Sequence, residues 1–163
     1  MDLLELIHAV ENSKEFASLS KDYYLVHIFT ILDAHKIEKW DLGYYSKKTD
    51  KIIVFEFHDN SIKVNPPQEV FKEDGFVEKL VVNKKILSKD AVIKVVESLM
   101  VEKYNNEPLV NIIMLLQNIK DHGQIWNITL TTLSFHVINI KINSTTGQVI
   151  KHSRESLIGW NKK

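Results

Sequence analysis

The chain of 163 residues contains no cysteine. That excludes disulfide frameworks, thiolate metal sites, iron–sulfur clusters and cysteine nucleophiles together. Arginine is nearly absent too: of 21 basic residues, only Arg154 is one. Arginine is the preferred bidentate reader of phosphate and guanine, so specific nucleic-acid recognition is not expected. Basic and acidic residues balance at 21 each, which leaves no global field to gather nucleic acid or an anionic membrane. With five glycines there is no phosphate-cradling loop, and no serine sits in a G-x-S-x-G elbow. No stretch approaches the roughly 18 consecutive apolar residues of a membrane span. The opening MDLLELIHAVENSKEF lacks a basic start and a small-residue cleavage site, so the expected location is cytoplasmic.

What remains is ordinary globular composition, 44% hydrophobic and 26% charged. The seven histidines (His8, His27, His35, His58, His122, His136 and His152) never fall four apart on a helix or two apart on a strand. No metal site and no cofactor is therefore expected. Catalysis is not expected either, since no acid–base pair or nucleophile has a recognisable setting.

Periodicity predicts a helix from Leu3 to about Phe16, with Leu3, Leu6, Ile7 and Val10 on one stripe. Ser18 or Ser20 offers a cap for a second helix through YYLVHIFTILDAHK. EKWDLGYY and KIIVFEF flank the polar turn SKKTD as a hairpin, and SIKV follows as a third strand before Pro66-Pro67. Residues 65–88 read as a connector, with a helical turn closed by Gly75 and one further strand in FVEKLVVN. The pattern then restarts. Ser88 or Asp90 caps AVIKVVESLMVEKY. Asn106 caps another helix, with Pro108 in its first turn and Gly123 past its end. IWNITLTTL, FHVINIKI and QVIKHS supply three strands.

At an offset of 86, Ile7 pairs with Ile93, Val10 with Val96, Glu11 with Glu97 and Trp40 with Trp126. Order and spacing thus predict an internal duplication. The expected fold class is α+β: two diverged ααβββ repeats whose antiparallel sheet or sheets are covered by helices on one face. Repeat 1 would span 1–65, the connector 66–88, and repeat 2 with a C-terminal tail 89–163, all in one compact module.

In the second half, Trp126, the alternating strand Val137 to Ile142, and the turn Asn143-Ser-Thr-Thr-Gly147-Gln-Val follow one another. Together they resemble the PepSY family, whose strands open on a tryptophan and end in a D-x-x-T-G-x-(V/I) turn. The resemblance covers residues 126–151 and implies a cystatin-like helix packed on an antiparallel sheet. It also implies a non-enzymatic regulatory or inhibitory role.

Trp40, Trp126 and Gly147 are read as structural anchors, the tryptophans in the core and the glycine at a turn needing positive φ. Tyr44 and Tyr45 must point to opposite sheet faces, which makes the first hairpin a candidate aromatic surface. Ile158 and Trp160 form a candidate docking tail. Tyr23 and Phe29 complete the candidate ligand or partner surface. The functional expectation is a non-catalytic interaction or regulatory protein with a protein partner or a second copy. The alternative is a small-ligand pocket between helices and sheet, lined by Tyr23, Phe29, Tyr45 and Trp40.

Overall fold

A computed structural model describes residues 1–33, 38–70, 75 and 77–158. The chain opens with α1 (Leu3–Glu11) and the single turn α2 (Lys14–Ala17). Four strands follow: β1 (Tyr23–Leu32), β2 (Lys39–Ser46), β3 (Lys51–His58) and β4 (Ser61–Val64). The connector contributes the two-residue β5 (Gln68–Glu69), and α3 (Lys89–Lys103) comes next. Then come β6 (Leu109–Ile119), β7 (Gly123–Thr132), β8 (His136–Asn143) and β9 (Val149–Ser156). All pair antiparallel in one sheet, in the order β4-β3-β2-β1-β6-β7-β8-β9, with β5 beside β3.

This corrects the expected fold class. The ααβββ pattern fails at its second helix in both halves, because YYLVHIFTIL and LVNIIMLLQNI are the two central strands, β1 and β6. Their apolar residues face both sides of the sheet, so a strand buried on both faces looks like an apolar helix by periodicity. The supposed helix signals do other work. Asn105 and Asn106 take left-handed φ of 49° and 50° to turn the chain out of α3. Gly123 (φ 69°) follows Asp121 (φ 72°) in the β6–β7 hairpin turn. The molecule is mostly sheet, and residues 77–83, the described part of FVEKLVVN, form no strand.

The first helix is also divided. Asp2 caps α1 in a capping box, accepting from Glu5 N at 2.8 Å while Asp2 N donates to Glu5 Oε2. Ser13 then ends that run by capping α2. Leu3, Leu6 and Val10 of α1 meet Val92, Val96, Leu99 and Met100 of α3 in one apolar core. The sheet side of that core includes Ile28, Leu42, Phe55, Met114, Leu116, Trp126, Ile128 and Ile140.

The connector crosses from one face of the sheet to the other. Val70 and Val77 pack with Val26, Tyr45 and Ile52 on the face away from the helices. Leu80 is already inside the helix-side core. A β-bulge between Leu25 and His27 frees the Leu25 carbonyl, which accepts from Leu80 N at 2.8 Å. On the β6–β7 side, Asn118 Nδ2 donates to Lys79 O, and the Gln124 amide pairs with both Val81 N and Val81 O. The connector is thus pinned by side-chain amides where a further strand would have used its backbone.

Candidate functional site

The helices leave one broad face of the sheet, part of which the connector covers at Val26, Tyr45 and Ile52. Directly opposed residues of antiparallel strands point the same way, so the register lays that face out in rows. One row runs Glu56, Asp41, Phe29, Leu115, Asn127, Lys141 and Lys151 across β3 to β9. At about 4.8 Å between strands it spans roughly 30 Å. The adjacent row holds Val54, Gly43, His27, Gln117, Ile125 and Asn143. Ile113, Thr129, Asn139 and Ser153 form the row on the other side.

At the centre lie Phe29, Ile31, Ile113 and Leu115, which belong to neither packed cluster among the described residues. Ile31 is 41% exposed and the others are half-buried by their sheet neighbours. A short polar ladder borders this strip on β6 to β8. Thr131 Oγ1 donates to Asn111 Oδ1 at 2.7 Å, and Thr129 Oγ1 donates to Asn139 Oδ1 at 3.1 Å.

Charges border the other side. Lys39 Nζ lies 3.0 Å from Glu56 Oε2 and 4.0 Å from Asp41 Oδ1. Asn65 Nδ2 donates to Glu56 Oε1, and with Lys39 it holds the Glu56 carboxyl below its usual range. Asp41 is pushed up instead, by burial first, with Lys39 offsetting part of it and Glu56 adding to it. Its Oδ1 is buried and accepts no hydrogen bond. Next to this pair, the His27 ring lies over Gly43, and burial pushes its pKa down to about 4.

A second polar cluster sits on the helix side at the far end. Glu107 accepts from Arg154 and His136, and Tyr104 OH meets His152 Nδ1 while Arg154 lies 5.7 Å from the Tyr104 ring. Burial would raise the Glu107 carboxyl, but bonds from His136, Thr132 and Arg154 outweigh it and hold it low. These groups satisfy one another and tie the end of α3 to β9. Among the described residues, no group of three or more His, Asp or Glu is placed to hold a metal.

The residues singled out in the sequence are dispersed. Tyr44 is buried in the helix-side core, its OH donating to Glu11 Oε1 at 3.2 Å, while Tyr45 is buried on the opposite face under the connector. Tyr23 is half-buried against the helix-side core, and Phe29 alone of the named rings lies on the uncovered strip. Tyr23, Phe29, Tyr45 and Trp40 therefore do not line one pocket. Two clefts of about 260 and 370 Å³ lie elsewhere, beside Asp2 and Val82 and beside Tyr24 and Val77. Trp40 and Trp126 are 2% and 0% exposed, and Gly147 takes φ 76° at its turn. Ile158 is 65% exposed, and Trp160 lies outside the described residues.

Sequence reading missed the exposed apolar group at the β7–β8 turn, where Leu133 and Phe135 are 65% and 61% exposed. Leu157 N donates to Phe135 O, bringing Leu157 and Ile158 beside it. Large apolar residues inside the turn segment LSFH, where polar ones are the rule, were the available signal.

The fold has a solved counterpart. The chain superposes on a crystal structure from Clostridium difficile 630 titled a "putative lipoprotein", with a TM-score of 0.62 at 13% identity. The match covers 95% of this chain and 93% of the other. At that identity the likeness concerns the fold alone. No family model matches the chain, and no curated protein matches it. In the turn that closes the segment resembling PepSY, Asn143 Oδ1 accepts from Thr145 N and Thr146 N. The expectation of a cytoplasmic location gains no support from this neighbour. No helix among the described residues is long and apolar enough to cross a membrane.

Proposed function

We propose that this chain is a non-catalytic interaction protein that docks a partner protein on the helix-free face of its sheet. The observation that carries the reading is the uncovered strip of Phe29, Ile31, Ile113 and Leu115. Sheets packed on one side ordinarily alternate apolar inward with polar outward. Here the middle of the outward side of the two central strands is apolar and polar residues flank it, which is the composition of an interface core with a polar rim. The complementary partner surface is a ridge of aliphatic or aromatic side chains.

The reading is tested by affinity capture from the native cell with wild type, Phe29→Glu and Leu115→Lys side by side. Phe29→Glu and Leu115→Lys should each lower recovery of the captured protein by tenfold or more, the effect of losing a central contact. Val101→Glu, on the outer side of α3 at a site 66% exposed, should leave recovery unchanged. Equal recovery by all three variants, or capture of nothing by wild type, would remove the proposal.

A further inference from the structure

The two edges of the sheet are unlike. At one, β4 has four residues and β5 two, and both lie against β3. At the other, β9 presents eight residues, Val149–Ser156, without a proline. A long free edge is a template for another strand unless something blocks it. Which backbone groups it offers follows from the last rung. Leu157 N donates to Phe135 O, which makes residues 135 and 157 a hydrogen-bonded pair. By alternation, residues 151, 153 and 155 direct their backbone groups to β8. Residues 152, 154 and 156 direct theirs outward.

We propose that two copies of this chain associate by antiparallel pairing of β9 with β9 about a two-fold axis through Ser153. In this register His152 of one copy and Arg154 of the other form hydrogen-bonded pairs from outward-directed groups. Lys151 of each copy then faces Glu155 of the other, so the axis generates two opposite-charge pairs at close, non-hydrogen-bonded positions. A slip of two residues one way sets Arg154 against itself. The slip the other way sets Lys151 against Ser153 and loses both ion pairs. A slip of one residue pairs outward with inward backbone groups and forms no ladder.

Charged edge residues ordinarily deter pairing, but that deterrent acts only against like charge. Arg154 is already neutralised by Glu107 on its own copy, and His152 is engaged by Tyr104. Such a seam joins two eight-strand paths into one sheet and leaves the uncovered faces free. It stands on the edge alone and is independent of the docking reading above.

Sedimentation equilibrium at about 100 µM, where a dimer with a dissociation constant of about 10 µM or tighter predominates, should show dimer. Lys151→Glu and Glu155→Lys should each weaken association at least tenfold, and the Lys151→Glu/Glu155→Lys double variant should restore it. The absence of cysteine adds a second readout. Ser153→Cys places one thiol on the axis, opposite its own copy at about 4.5 Å between Cα atoms, within disulfide range. It should cross-link under mild oxidation faster than Thr145→Cys, an exposed turn position away from the seam. Wild type remaining monomeric, a double variant that fails to restore dimer, or equal cross-linking at 153 and 145 would each overturn the proposal.

Discussion

Trp126→Ala should lower unfolding free energy by about 4 kcal/mol, the largest single-site loss expected in this chain. The indole is fully buried on β7 beneath α3, and its Nε1 donates to Leu87 O at 3.1 Å just before the α3 cap. Truncation leaves a cavity in the helix-side core and an unmatched carbonyl at the point where the connector enters α3. Domains of this size have only about 5–15 kcal/mol in total. Trp126→Phe keeps most of the volume and should cost about 1–2 kcal/mol, chiefly the hydrogen bond. Urea denaturation followed by circular dichroism reads both. A loss under about 1 kcal/mol for Trp126→Ala would mean that the ring does not anchor the second half of the sheet. Trp40→Ala should cost somewhat less. That ring is held from the surface side, by Nε1 donating to Glu38 and by Lys89 lying over it.

Both tryptophans were legible in the sequence because a large ring inside an alternating strand has few places to go but the core. The hairpin strands β2 and β3, and later β7 and β8, were legible for the same reason: alternation with turn residues at each end. The central strands were not. In Tyr23–Leu32 nearly every position is apolar or aromatic, and the signal that separates period 2 from period 3.6 disappears. β6 had the further disguise of an asparagine, a proline and a glycine spaced like helix caps. In fact Asn106 is a left-handed turn residue and Gly123 opens a hairpin. Misreading β1 and β6 also hid the candidate site, since Ile113 and Leu115 share a face with Phe29 only once both segments are strands. Nor could the sequence say how much of that face the connector covers. That depends on the bulge at Leu25 and the amide clasp of Gln124 around Val81, features with no local signature.

Stability should also fall by up to about 3 kcal/mol between pH 7 and pH 4 through His27 alone. Unfolded, a histidine titrates near pH 6.5; in the fold, burial lowers His27 to about 4. The unfolded chain therefore binds the proton first. The stabilisation is fully present above pH 6.5 and is lost as pH falls through the folded value. His27→Leu should flatten the profile in that window. Carboxylates such as Glu56 and Glu107, held low in the fold, lose their contributions only at more acidic pH. The cause of the burial can be tested at the residue beneath. A Cβ on Gly43 would come within 2.1 Å of the His27 ring, so Gly43→Ala should cost about 1–3 kcal/mol. In His27→Ala/Gly43→Ala the clash is gone, and the double variant should be at least about 1 kcal/mol more stable than the two single losses added together. If the losses add, or if His27→Leu keeps the wild-type slope between pH 6.5 and 4.5, then the ring does not lie desolvated over Gly43. The edge of the uncovered strip would then be organised differently.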